Sequence, residues 1–394
     1  MDLPALRRAL AELRLDGWLL YDFHGQNPTA VHVLGLSGKM LTRRFFLLLP
    51  REGEPVLLAH AIELSQFGPE IPGRRERFAS WQSLKDGLGR ALGALPKGAR
   101  VAMEYMPGGT IPTLSRVDAG TVELVRSYGV EVVSSADLVQ RFFCRLDDAQ
   151  VESHKRALAA IDAAKDAAFE RIGAAHRRGE APLETDVQAF LMDRFREADL
   201  ETDHAPIVAV NGHAGDPHYS PSPATPTPIR KGDLVLIDLW ARGKGPRDVY
   251  ADITWMGFCG DRPPEKLERM FRVAAGARDA GLEAIARAHR EGRTLAGFEV
   301  DRVVRDEVKA GGFADRFVHR TGHSIETRVH GDGANLDDLE THDTRPLVPG
   351  LCFSIEPGIY LPEEGLGVRT EIDVFLAADG PKVFSKIQRE IVRI

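Results

Sequence analysis

Apolar and polar positions change period several times along the chain. Leu3 to Leu15 carries its leucines and alanines at helical spacing, and Gly17 to Tyr21 is an apolar run of strand length. Phe45 to Leu49 and Pro55 to Ala59 flank the turn Arg51-Glu52-Gly53-Glu54 and predict a hairpin. Arg100 to Glu104, after Pro96-Lys97-Gly98, predicts a further buried strand. Residues 1–146 therefore read as an α/β domain. His24, His32 and His60 lie within it without a catalytic cluster around them, as solvent-facing or core-edge residues.

From Leu146 the pattern changes. Asp147 to Arg178 is one long stretch of Ala, Lys, Arg and Glu with high helix propensity, closed by Gly179 and Pro182. Thr185 to Ala198 predicts a shorter helix. A proline-rich loop and two strands follow, Asp233 to Trp240 and Tyr250 to Phe258. The remainder repeats that order: helices over Pro264 to Arg290 and Ala296 to Ala310, a histidine-bearing loop, then strands over Gly350 to Ile355 and Val368 to Leu376. In both halves a Gly-containing turn launches an apolar strand ending in a carboxylate, Asp238 or Glu356. A second strand then brings another, Asp252 or Glu371, at nearly the same spacing. Two helix–helix–hairpin units related by a pseudo-twofold would bring these acids to one sheet.

Length and composition narrow the function. A chain of 394 residues exceeds one ordinary core and predicts two domains, 1–146 and 147–394. Charged residues make up 28% of it, and the net charge of −7 is interspersed, which gives no basic footprint for nucleic acid. Cys144, Cys259 and Cys352 are odd in number and sit in apolar runs, the pattern of small buried residues rather than disulfides or a zinc knuckle. The charged N-terminus lacks the apolar core of a signal peptide, and no apolar run approaches the ~20 residues that span a bilayer. A cytoplasmic protein without a membrane segment is expected.

Acids are rare inside strands and seldom buried unpaired. Four at repeat-related positions repel one another unless cations lie between them. Two divalent ions would neutralise Asp238, Asp252, Glu356 and Glu371. His323, beside Gly322 in Thr321-Gly322-His323, is the candidate imidazole ligand. Oxygen ligands with one imidazole suit Mn, Co, Fe or Zn. Two such ions acidify a shared water for attack on a carbonyl or phosphoryl centre. No Gly-rich or basic phosphate cradle accompanies them, which favours amide hydrolysis. His218 and His330 stand at matching places before the strands and are candidates for transition-state stabilisation.

These motifs resemble the pita-bread metallopeptidases, in the branch of Xaa-Pro dipeptidase (prolidase) and aminopeptidase P. The resemblance is close over residues 147–394 and loose over 1–146, which is similar to a creatinase-type N-terminal domain. It implies an α+β chain whose catalytic domain has two pseudo-symmetric halves. It also implies that Asp238 binds one metal, that Asp252 and Glu371 bridge two, and that His323 and Glu356 bind the second. By the same resemblance Glu356 relays a proton, His218 and His330 stabilise the tetrahedral intermediate, His319 shapes a proline pocket, and Arg369 meets the substrate carboxylate or supports a bridging ligand. The implied substrates are small proline-containing peptides, and the implied assembly is a homodimer.

Some positions depart from the family pattern. Trp240 stands where Gly is usual, Trp255 where Arg is common, and Glu326 and Arg328 lie in a stretch that is usually Gly-rich and apolar. The two tryptophans, on the carboxylate-bearing strands, are expected to narrow the cleft. Three readings compete: an aminopeptidase P acting on longer peptides, a creatinase-like amidinohydrolase without metal, and a catalytically silent binding protein. The last two would replace the ligands, and all five are present. Methionine aminopeptidase shares the five ligands but lacks so long an N-terminal domain.

Overall fold

A computed structural model describes residues 2–394. They form two compact units, the first ending at Phe143 and the second spanning Cys144–Ile394. The first opens with helix α1 (Leu3–Glu12), capped by Asp2, whose carboxylate accepts from Ala5 N. Then come β1 (Gly17–Asp22), α2 (Pro28–Val33), β2 (Phe45–Pro50), β3 (Val56–His60), β4 (Arg74–Phe78), α3 (Trp81–Gly93), β5 (Arg100–Met103), α4 (Ala119–Arg126), β6 (Glu131–Ser134) and α5 (Ala136–Val139). The six strands make one mixed sheet in the order β4-β3-β2-β1-β5-β6. The hairpin expected around Gly53 is β2–β3, antiparallel with Phe45 opposite Ala59.

The second unit begins with α6 (Asp148–Arg177), whose N-terminus is closed by a capping box between Asp147 and Gln150. It continues through α7 (Glu184–Glu197), β7 (Leu200–Glu201), β8 (Ile207–Val210), β9 (Leu234–Gly243) and β10 (Ala251–Phe258). After α8 (Glu265–Arg290) and α9 (Gly297–Ala310) come β11 (Cys352–Ile355), β12 (Gly358–Leu361), β13 (Leu366–Arg369), β14 (Ile372–Ala377), β15 (Gly380–Lys382) and β16 (Val392–Arg393). The expected order of two helices followed by paired strands therefore occurs twice.

Strand alternation divides the core and places the acids. Val235, Ile237, Leu239 and Ala241 of β9, with Ala251, Ile253 and Trp255 of β10, pack under α6 and α7. Leu234, Leu236, Met256 and Phe258 face the other way, toward α8 and α9. Asp238 and Asp252 share this second face because side chains alternate with a period of two.

The second half is not a plain copy of the first. Where two continuous strands were expected, each is bent, and it changes partner at the bend. β11 pairs with β14, whereas β12 pairs with β13. Pro357 has no N–H to give a ladder, and Thr370 N donates instead to Pro357 O across the bend. Both bends carry a site acid: Glu356 follows β11, and Glu371 lies between β13 and β14.

One buried histidine of this unit ties stability to pH. His154 of α6 is 1% exposed and pairs its Nδ1 with Tyr250 O at 2.7 Å. Cys352 Sγ and Asp373 Oδ2 lie 3.7 and 3.8 Å from its Nε2. Burial pushes the imidazole down to about 4, with Lys155 adding a smaller push the same way. The unfolded chain then binds a proton below its ordinary value of ~6.5 that the fold refuses, so stability falls as pH drops from there toward 4. His154→Gln should flatten the fall of the urea midpoint between pH 7 and 4.5. A variant with the wild-type slope would remove His154 from the account.

Candidate active site

Every site residue singled out from the sequence lines one cleft of about 630 Å³: Asp238, Asp252, His323, Glu356 and Glu371, with His218, His319, His330 and Arg369. The β9–β10 register sets Thr254 opposite Asp238 and Trp240 opposite Asp252, which brings both acids to the cleft floor. Glu356 N donates to Thr321 O at 2.8 Å, and Glu371 N to Thr254 O at 3.3 Å, so each bend is pinned beside the other strands. His323 arrives on an extended segment alongside β11. Its N–H donates to Ser354 Oγ, and its carbonyl accepts from Ser354 N. A Cβ on Gly322 would overlap Ser354 O, which is why this neighbour of His323 has no side chain.

Asp252, His323 and Glu371 bring ligand atoms within 4.8 Å of one another. His323 Nε2 also stands 3.4 Å from Glu356 Oε1. Asp238, at the other side, is held by Arg369 Nη2 at 2.6 Å. Burial, then repulsion from the neighbouring acids, raises the Asp252 and Glu371 carboxyls well above their usual range, and burial lifts Glu356 to about 7. Asp252 Oδ1 and Glu371 Oε1 are buried and have no hydrogen-bond partner among the described residues. Burial and the adjacent His330 hold His323 far below its usual value, so its ring is neutral, the form that ligates. Buried oxygens left without partners beside a neutral imidazole fit a divalent cation, which would satisfy both oxygens and remove the repulsion.

The remaining side chains differ in how free they are. Arg369 is 4% exposed, and each arm of its guanidinium is engaged: Nε with Thr254 Oγ1, Nη1 with Tyr360 Oη and Nη2 with Asp238. Of the two roles the resemblance offered it, this geometry serves support of a ligand and leaves no arm for a substrate carboxylate. His319 Nδ1 pairs with Arg320 O and its Nε2 with Tyr360 Oη, each at 2.8 Å. Burial, then the Arg369 charge, pushes His319 down to about 3, so it is neutral. His330 packs edge-on against His323 with ring centroids 4.4 Å apart. His218 is exposed, with its backbone N–H held by Asp216.

Three residues escaped the sequence reading. Tyr360 links Arg369 to His319, and Thr254 Oγ1 donates to Glu371 Oε2 at 2.7 Å. Glu184, buried at the start of α7, accepts from Val210 N, pairs with His213 Nδ1 and accepts from Tyr219 Oη, and so fixes the loop around His218. Only Thr254 carried a signal, being two residues from Asp252 on the same strand. The tryptophans divide. Trp240 lines the cleft and donates to Asp203 Oδ1, whereas Trp255 faces α6, where the Lys165 ammonium lies over its ring. Trp255 does not narrow the cleft.

Comparison with known proteins agrees with this geometry. Residues 152–378 match the model of Metallopeptidase family M24. The chain is 28% identical over 375 residues to a probable dipeptidase PepE of Mycobacterium bovis, covering 92% of this chain and 88% of that protein. It is 28% identical over 283 residues to a Xaa-Pro dipeptidase of Pyrococcus furiosus, covering 67% of this chain and 75% of the relative. Among solved structures, the dipeptidase PepE of Mycobacterium ulcerans superposes with a TM-score of 0.74 at 24% identity, over 100% of this chain and 96% of its own.

Proposed function

Because this chain belongs to metallopeptidase family M24, we propose that it hydrolyses the bond preceding proline in short peptides, foremost Xaa-Pro dipeptides. The observation that carries the reading is the buried group of Asp252, His323 and Glu371, with unpartnered carboxylate oxygens at the floor of a cleft. Relatives along the chain that are dipeptidases supply the substrate class. Two divalent ions would be held by Asp238, Asp252, His323, Glu356 and Glu371, with manganese or cobalt as the first to test. When bound, they polarise the scissile carbonyl and make water acidic enough to attack at neutral pH.

The chain's own groups do the rest. Glu356 reaches the cleft with a carboxyl lifted to about 7, suited to take a proton from the attacking water and return it to the proline nitrogen as that leaves. His330 and His218 face the cleft from the two halves and offer N–H donors to the oxygen that gains charge. Arg369 holds Asp238 in place, and Tyr360 passes that order on to His319 at the wall. Residues before Cys144 serve as a creatinase-type N-terminal domain, and the working unit is a homodimer.

Trp240 and Asp203, joined at the rim of the cleft, favour a short substrate. Ala-Pro or Leu-Pro should be cleaved with a kcat/KM at least about ten times that of the same peptides lengthened by one residue. Assays of both peptide pairs with manganese-loaded enzyme decide it. Faster cleavage of the tripeptides would move the activity to the aminopeptidase side.

A further inference from the structure

The cleft lining holds two arginines, Arg320 and Arg369, and no lysine. Arg369 is spent on Asp238, Tyr360 and Thr254. Arg320 is its opposite. Its backbone is fixed on both sides: its N–H donates to Glu340 Oε1 at 3.0 Å, and its carbonyl receives His319 Nδ1 at 2.8 Å. Its guanidinium is half-buried and has no hydrogen bond or ion pair among the described residues. An arginine with an anchored backbone and an idle fork in a substrate cleft is prepared for a planar anion.

Elsewhere the cleft repels anions. Asp203, Asp216 and Glu340 line its mouth, and the acids of the candidate metal centre line its floor. The neutral ring of His319 adds no competing charge at the wall. The charge of Arg320 is felt at His319, His323, His330 and Glu356, so it lies close to the reacting groups rather than out in solvent.

We propose that Arg320 binds the C-terminal carboxylate of the dipeptide and is the residue that makes this site prefer Xaa-Pro over longer peptides. The inference rests on the dipeptidase reading but is tested apart from it. A peptide extended beyond proline presents a neutral amide at that place, and the guanidinium loses its charge-assisted pair. One such pair corresponds to roughly 10- to 100-fold in affinity.

The test compares wild type, Arg320→Ala and Arg320→Lys. Titration calorimetry measures binding of proline and of prolinamide, and kinetics follow Ala-Pro and Ala-Pro amide. The expected wild type favours proline over prolinamide by about 30-fold. Arg320→Ala should bring that ratio near one and raise KM for Ala-Pro far more than it lowers kcat. Arg320→Lys, which keeps the charge but not the fork, should restore part of the ratio. Arg320 makes no side-chain bond to the fold, so these variants should keep the wild-type unfolding midpoint. A wild type that binds both ligands alike, or an Arg320→Ala variant that keeps the wild-type ratio, overturns the proposal. Failure of the dipeptidase reading looks different: Ala-Pro would go uncleaved while proline still bound more tightly than prolinamide, which supports the carboxylate site.

Discussion

Asp252→Asn is expected to lower turnover of Xaa-Pro dipeptides by at least about 10³-fold, roughly 4 kcal/mol of lost transition-state stabilisation. Asn keeps the shape of the side chain but removes the charge that the arrangement needs. Asp252 lies between His323 and Glu371, and its Oδ1 is one of the two oxygens there without a protein partner. Its N–H donates to Asp373 Oδ2 at 2.8 Å, so the backbone is fixed and cannot move to compensate. The same substitution makes a second, opposite prediction. In metal-free protein Asp252 and Glu371 repel each other, so metal-free Asp252→Asn should unfold at a higher temperature than metal-free wild type. Adding Mn2+ should then raise the midpoint of wild type more than that of the variant. Metal analysis, turnover and thermal unfolding check the three outcomes. More than a tenth of wild-type turnover in the variant would remove Asp252 from the centre.

Much of this was legible because two periodicities coincide in the sequence. Alternation within Leu234 to Trp240 made Asp238 a buried acid, and repetition of that phrase before Glu356 indicated where its counterparts would meet. What stayed hidden depends on bends and on competition between side chains. Pro357 was visible, but the change of partner it accompanies depends on Thr370 and Thr254 from distant strands. Arg369 could have met substrate or ligand, and only the positions of Asp238, Tyr360 and Thr254 show every arm taken. Trp255 was legible and misread: it is three residues from Asp252 on one strand, so alternation alone sends it to the opposite face. Glu326 looked like an intruder in a glycine-rich stretch. Its Oε1 accepts from Ser324 Oγ, Asp332 N and Gly333 N, and so closes the turn that presents His330.

That turn leads to the second large effect. His330→Ala should lower kcat by roughly 10²–10³-fold, the range for removing one preorganised donor to a developing oxyanion. Metal content should stay near wild type, because His330 is not in the close group of Asp252, His323 and Glu371. Burial depresses its pKa, with Arg320 adding to the effect, so the ring is neutral near pH 7 and retains one N–H. Its edge-on contact with His323 fixes the ring plane, and the bonds to Glu326 fix the turn behind it, so little ordering remains to be done during the reaction. A group that acts mainly on the transition state changes kcat more than KM, and steady-state kinetics on Ala-Pro separate the two. The companion His218→Ala should fall in the same range, since His218 lines the same cleft and its charge is felt at His330. Loss of bound metal in His330→Ala would make that histidine a ligand, and a KM effect with unchanged kcat would make it a binding residue. A fall in kcat alone, with metal retained, places His330 at the oxygen where charge develops.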